Sequence, residues 1–187
     1  MERAAREGWR SRAVFKLAQI DVRARVFRRG MVCVDLGSAP GGFSQYAIAK
    51  VRPSGRVLAV DLLPMEPIAD VEFFEGDFTS PEMLERLRAE LAGSGADLVM
   101  SDMAPNISGN STIDQARSIG LAEEALSFAE EVLNRGGDLL VKLFQGEGFE
   151  EFVKQVRSKF RTTRLIKPKA SRAESREIYL LARQYGM

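Results

Sequence analysis

One stretch constrains the fold more than any other, the run from Val32 to Phe43 reading Val-Cys-Val-Asp-Leu-Gly-Ser-Ala-Pro-Gly-Gly-Phe. A short apolar segment ends in Asp35 and Gly37, the pair Gly41-Gly42 follows, and Phe43-Ser-Gln-Tyr-Ala-Ile-Ala then reads as a helix. Strand, glycine-rich turn and helix in that order is the unit that sets a ligand at the C-terminal end of a parallel strand, beside backbone N–H groups. Glycine removes the Cβ that would hold the backbone away from such a ligand.

The spacing speaks against a dinucleotide. Gly37 and Gly41 are separated by Ser38-Ala39-Pro40 rather than arranged as G-x-G-x-x-G. Pro40 removes an N–H donor that a pyrophosphate would need, and the carboxylate of Asp35 would repel phosphate. A cationic or zwitterionic ligand fits the turn better. S-adenosylmethionine, with its sulfonium and amino groups, is the leading candidate, ahead of a nicotinamide cofactor.

Strand and helix alternate along the rest of the chain. Arg56–Asp61 is a second strand, ending in an acid about two dozen residues after Gly37, where a carboxylate can accept from ribose hydroxyls. Val71–Glu75 is a third strand. Asp77 beyond it can accept from an adenine amino group, and Phe78 can flank the base, although a turn aspartate is the plainer reading. Ala96 to Asp102 forms a fourth strand, and a long helix spans about Ile113 to Asn134. A fifth strand, Asp138 to Phe144, carries Lys142 in its apolar run, where a charge is costly without a partner. Pro81–Leu91 and Glu147 to Phe160 read as helices, and Arg161–Lys167 with Arg176–Leu181 as a closing pair of strands. In the N-terminal segment, Val14, Leu17 and Ala18 mark an amphipathic helix that Ser11 can cap, with helical structure ending at Gly30. The expected fold is α/β: a Rossmann-like, seven-stranded, mostly parallel sheet with an antiparallel last strand and helices on both faces. Residues 1–187 are expected to form a single domain, with 1–30 a basic helical segment and 31–187 the α/β core.

Composition narrows the chemistry. The chain has no histidine, so proton transfer must use Lys, Asp, Glu, Tyr or water, and a histidine-based triad is excluded. The lone cysteine, Cys33, alternates within an apolar strand and reads as core, and it fits a reducing, cytoplasmic compartment. No apolar run is long enough to span a membrane. The net charge of +1 hides a segregation: residues 1–30 carry +6, residues 154–187 carry +8, and residues 31–153 carry −13. Two basic ends on an acidic body suggest a polyanionic partner, provided that the fold brings the ends together.

Taken together, these segments resemble the RrmJ (FtsJ) family of ribosomal RNA 2′-O-ribose methyltransferases. The resemblance runs from Trp9-Arg-Ser-Arg12 through Asp35-Leu-Gly-Ser-Ala-Pro-Gly-Gly-Phe43 and Val99-Met-Ser-Asp102-Met-Ala-Pro-Asn. It continues over Val141-Lys142-Leu-Phe-Gln-Gly-Glu-Gly-Phe149 and Lys167-Pro-Lys-Ala-Ser-Arg-Ala-Glu-Ser-Arg-Glu177-Ile-Tyr179. It implies a catalytic tetrad of Lys16, Asp102, Lys142 and Glu177, and S-adenosylmethionine held against Gly41, Gly42, Phe43, Asp61, Asp77, Phe78 and Asp102. The implied substrate is a ribose 2′-hydroxyl, of a uridine, in 23S RNA of the large ribosomal subunit, methylated by a monomer without a metal. Arg6, Arg10, Arg12, Lys167, Lys169 and Arg172 are then expected to contact phosphates. Phe43 departs from the tryptophan of some members, and the resemblance implies more basic chain ahead of Lys16 than is present here. A small-molecule O-methyltransferase and a non-catalytic RNA-binding factor are the rival readings. The first would be expected to add a lid over its pocket, and the second has no use for Lys142 in an apolar strand.

Overall fold

In a computed structural model the chain is described over residues 2–91, 93–172 and 174–187, with Glu2 and Arg3 described by their backbone alone. The elements are α1 (Glu2–Arg6), α2 (Ala13–Ala24), β1 (Val32–Leu36), α3 (Gly42–Val51), β2 (Arg56–Asp61), β3 (Val71–Glu75) and α4 (Pro81–Leu91). They continue with β4 (Ala96–Ser101), α5 (Ser111–Val132), β5 (Leu133–Phe144), α6 (Phe149–Arg157), β6 (Phe160–Ile166) and β7 (Glu177–Tyr185).

The strands form one sheet in the order β3-β2-β1-β4-β5-β7-β6. Neighbours from β3 to β5 are parallel, and β7 runs antiparallel to both β5 and β6. This is the expected mostly parallel sheet. Its order reverses between β1 and β4, so a crevice opens at the C-terminal ends of those strands.

Alternation along each strand divides the core into two layers. Val34 and Leu36 of β1, with Leu139, Val141 and Leu143 of β5, face α4, α5 and α6. Cys33 of β1, Leu140 of β5, and Tyr179 and Leu181 of β7 face α2 and α3, whose Val14, Leu17, Ile20, Tyr46 and Ala47 are buried against them. Period two therefore sends Lys142, two residues beyond Leu140, to the α2–α3 face. Cys33 is fully buried, and burial raises its thiol pKa far above the ordinary value.

Several boundaries differ from those read off the sequence, each for a local reason. Ser11 does not cap α2: the N-cap is Arg12, with no side-chain capping bond. The helix stops at Ala24, well before Gly30, because Arg25 turns left-handed (φ 51°) and its N–H reaches Asp21 O at 2.7 Å. The Asp21 carboxylate then takes the N–H groups of Val26 and Phe27 at 2.9 and 3.2 Å, satisfying the backbone as it leaves the helix. α5 starts at Ser111, where the Asn110 side chain accepts from Thr112 and Ile113 N–H. β5 begins at Leu133, before the Gly136-Gly137 pair that looks like a turn, through a register shift opposite Ala96 and Leu98. α6 begins at Phe149, behind Gly148 at φ 80°.

Candidate active site

The charged residues expected in the tetrad come together as two buried ion pairs. Lys142 Nζ lies 3.3 Å from Asp102 Oδ1 and donates to the Asp102 main-chain oxygen at 2.6 Å. Lys16 Nζ lies 2.7 and 2.9 Å from the two oxygens of Glu177. The four side chains are between 7% and 18% exposed, so none is an ordinary surface charge. Lys16 comes from α2 and Glu177 opens β7, which brings the two basic ends of the chain to one place. Sheet register joins the pairs, since Lys142 stands opposite Tyr179 and Phe144 opposite Glu177. Burial alone would raise the Glu177 pKa, but hydrogen bonds from Lys16 and Ser171 and the charges of Lys16 and Lys142 outweigh it and hold the carboxyl below its ordinary value.

Two further residues complete this arrangement. The Tyr179 hydroxyl donates to Asp102 Oδ1, and its ring stacks on Phe43 with centroids 6.5 Å apart at 29°. Burial and the Asp102 charge raise the phenol pKa well above its usual value, so it is a permanent donor here. Ser171 Oγ donates to Glu177 Oε1 at 2.8 Å. Tyr179 could have been found from the sequence, because it lies two residues past Glu177 on the same strand face. Ser171 had no such signal, since its position depends on how the loop after β6 folds back over α2.

A cleft of about 230 Å³ lies beside the ion pairs, walled in part by Gly37, Asp61, Asp77, Phe78 and Met103. Asp61 accepts the N–H groups of Ala39 and Leu63, both at 2.8 Å. Asp77 Oδ1 accepts from Thr79 N and Oγ1, at 2.9 and 2.7 Å, so it is also a turn aspartate; neither bond uses Oδ2. Phe78 is 9% exposed and packs edge-on against Phe128, with one side left to the cleft. Ser38, in the glycine-rich turn, has a buried hydroxyl without a hydrogen-bond partner. A polar ligand at this turn would satisfy it, so the residues present fit a cofactor there.

Gly41, Gly42 and Phe43 are not among the cleft walls. A Cβ on Gly41 (φ 110°) would come within 2.7 Å of Ile68 Cδ1, and one on Gly42 within 2.2 Å of Ser11 Oγ. The glycine pair thus admits the loop after β2 and the segment before α2, packing that requires glycine even without a ligand. Phe43 is held under Tyr179. Asp35 is 1% exposed and accepts from Ser44 Oγ at 2.6 Å. Burial raises its pKa to about 7, the Ser44 bond opposes the rise, and the charges of Asp102 and Asp61 add to it.

The expected phosphate contacts divide into two kinds. Arg10 donates to the main-chain oxygens of Pro40, Glu66 and Pro67, clamping the N-terminal segment to the glycine-rich turn. Lys167 donates to Ser175 O within its own loop. Arg6, Arg12, Lys169 and Arg172 are exposed.

A seven-stranded sheet of this order, with a cleft at its reversal and acids at the strand ends, defines a Rossmann-like methyltransferase. Residues 9–185 match the family model of the FtsJ-like methyltransferases, and the chain belongs to that family. It is 54% identical over 181 residues to the ribosomal RNA large subunit methyltransferase E of Azoarcus sp. (strain BH72), covering 97% of this chain and 88% of that one. The same-named protein of Legionella pneumophila (strain Paris) is 49% identical over 187 residues, covering 100% and 91%. A crystal structure from Plasmodium falciparum, provisionally assigned as a ribosomal RNA methyltransferase, superposes with a TM-score of 0.86 at 26% identity, over 95% of this chain and 98% of that one. Among the described residues, no helix is long and apolar enough to cross a membrane.

Proposed function

We propose that this chain is an S-adenosylmethionine-dependent methyltransferase that modifies a ribose 2′-hydroxyl, of a uridine, in 23S RNA of the large ribosomal subunit. The relatives named as large-subunit RNA methyltransferases support the substrate. The observation that carries the chemistry is the paired burial of Lys142–Asp102 and Lys16–Glu177 at one end of the sheet. Buried ion pairs are an inefficient route to stability, because desolvation offsets most of their attraction, so two of them side by side need a functional reason.

The cofactor supplies, when bound, a methyl group on a positively charged sulfur. Gly37, Ser38, Asp61, Asp77, Phe78 and Asp102 would hold it, with the carboxylates matching hydroxyl, amino and sulfonium groups. A ribose hydroxyl is a weak nucleophile and must be aligned. Lys142 Nζ has three donors; one goes to Asp102 O, and Asp102 Oδ1 lies 3.3 Å away as an ion-pair partner. A remaining donor can bond the hydroxyl oxygen and aim a lone pair along the transfer direction, and the hydroxyl proton passes to water as that oxygen takes the methyl group. Tyr179 and Lys142 both hold Asp102, which fixes that aim. Lys16 and Glu177, tied to Ser171, form the second wall of the site. Alignment of this kind supplies much of the acceleration in group transfer.

In the same reading, residues 1–187 act as one domain and as a cytoplasmic monomer without a metal. Arg12, Lys169 and Arg172 hold RNA phosphates, and Arg10 and Lys167 shape the surface around them.

The test is transfer of labelled methyl from S-adenosylmethionine to large-subunit RNA, ribosomal particles and tRNA, comparing the protein with Lys142→Ala. Label at a ribose 2′-oxygen of large-subunit RNA, lost in the variant, is expected. Label in tRNA alone would overturn the substrate. Cofactor binding without transfer to any RNA would overturn the catalytic role.

A further inference from the structure

We propose that the groove between the C-terminal end of α2 and strands β6 and β7 is a second RNA site, binding backbone phosphates several nucleotides from the reacting ribose. This rests on the RNA reading above and extends it to a surface remote from the ion pairs.

The groove holds about 280 Å³ and is walled by Arg23, Arg25, Thr162, Thr163, Arg164 and Arg183. Three of the guanidiniums are fixed by main-chain carbonyls. Arg23 donates to Lys167 O at 3.2 Å, Arg164 to Arg23 O at 3.4 Å, and Arg183 to Ala24 O and Arg25 O at 2.6 and 3.0 Å. Carbonyl partners set position without cancelling charge. Asp138 is the acid near this cluster, 3.7 Å from Arg183 Nε. Asp21, on α2, spends its carboxylate on Val26, Phe27 and Tyr46. Among the described residues, Arg23, Arg25 and Arg164 have no carboxylate at ion-pair distance. At the rim, Arg157 donates to Thr163 Oγ1 at 3.3 Å and adds another cation.

Structural roles do not consume this charge. A helix C-terminus is worth about half a negative charge, and Asp138 adds one more, so the four arginines of the groove keep a surplus of roughly +2.5. Charged residues on an edge strand also discourage sheet-to-sheet association, which accounts for Arg164 on β6. It does not account for Arg23 and Arg25 from α2, or for Arg183 on the inner strand β7. A cluster of guanidiniums, three held by main-chain carbonyls and three without a carboxylate at ion-pair distance, flanked by two threonine hydroxyls, is matched to phosphate oxygens.

The placement selects RNA over a small anion. Glu177, Tyr179, Leu181 and Arg183 share one face of β7, and Leu181 and Arg183 line the groove, which therefore spans about 13 to 20 Å from Glu177 along the strand. Helix α2 runs beside it, with Lys16 at the tetrad end and Arg23 at the groove. The loop between β6 and β7 is pinned along this helix, Gln19 Oε1 accepting from Ala170 N at 3.0 Å. Its exposed Arg172 and Lys169 lead from the tetrad toward the groove. A strand whose ribose reaches Lys142 can follow this band, and contacts of this kind set register and orientation more than sequence.

The experiment compares the full chain with Arg25→Gln/Arg164→Gln and with Arg25→Lys/Arg164→Lys. Binding to transcribed large-subunit RNA is followed by fluorescence anisotropy from low to moderate salt, beside methyl-transfer kinetics, cofactor affinity and melting temperature. The glutamine pair is expected to raise the KM for RNA on the order of tenfold and to lower the salt slope by about 1–2, with kcat, cofactor affinity and melting temperature unchanged. The lysine pair is expected to keep most of the affinity. Unchanged KM and salt slope in the glutamine pair, with wild-type transfer intact, would overturn the inference and leave the methyltransferase standing. A loss seen with assembled subunits and absent with free RNA would also overturn it, assigning the groove to a protein surface. If the wild-type protein methylates no RNA but its RNA binding still depends on these arginines, the function proposed above fails and the groove remains.

Discussion

The two ends of the α2–β7 pair carry the same kind of charge in opposite states. At one end Lys16 and Lys142 are buried and each has a carboxylate of its own, Glu177 and Asp102. At the other end Arg23, Arg25 and Arg164 are bonded to carbonyl oxygens or to nothing charged, and sit in an open groove. The difference follows from solvent. A cation taken out of water must be compensated inside the protein or the fold pays for it. A cation left in water can wait for an anion that comes from elsewhere. In the proposed function, internal pairing marks the chemistry, and the lack of pairing marks the surface that would meet RNA.

The comparison can be broken most directly at Lys142. Lys142→Ala is expected to reduce methyl transfer by a factor on the order of 10²–10⁴ at saturating RNA, with cofactor binding retained, as read by single-turnover transfer.

The second effect is on stability. Lys16→Met leaves Glu177 buried without its cation and is expected to cost about 3 kcal/mol in urea unfolding at neutral pH. Because the Glu177 pKa is depressed in the folded protein, its contribution is present above the ordinary carboxyl pKa and lost as pH falls through the lowered value. The variant should lose that acid limb. Adding Glu177→Leu to Lys16→Met should recover part of the stability and none of the activity, which would separate the two roles of the pair.

Asp35 sharpens the same point with the opposite sign. Its folded pKa of about 7 lies above the unfolded value, so the folded state holds the proton and stability should fall as pH rises from about 4 to 7. Asp35→Asn is expected to flatten that slope in a series of unfolding curves. An unchanged slope would mean that the carboxylate is compensated by groups other than Ser44.

The smallest change is expected at the open end. The Arg25→Gln/Arg164→Gln pair should shift stability by no more than about 0.5 kcal/mol, since exposed charges without a carboxylate partner contribute little to folding. A loss comparable to that of Lys16→Met would show that the arginines are structural and would dissolve the contrast.

Much of the fold is legible because burial imposes a period. The alternation of Val32–Leu36 and the acids closing β1, β2 and β4 place the sheet and its crevice without reference to any neighbour. Lys142 stood out for the same reason, as a charge in an apolar strand. Lys16 and Glu177 did not, since on their own segments they look like solvated residues, and only the family resemblance set them apart. Tyr179 and Ser171 become site residues only when β7 pairs with β5 and the loop before it lies on α2. The ends of α2 and β5 differ from those the hydrophobic period marks, because an aspartate turning back on the backbone and a register shift are local features that no such period records.

What the sequence determined by itself is the order of strands and helices, the glycine-rich turn at Gly37–Gly42, the exclusion of histidine chemistry and the segregation of charge toward the ends. All of these depend on residue type and on neighbours close along the chain. What only the tertiary structure decided is which charges face each other. Lys16 meets Glu177 across 161 positions, and Arg25 and Arg164 share a groove although they lie on different elements. Pairing is a matter of distance and dielectric in the folded chain, and neither exists until the sheet has closed.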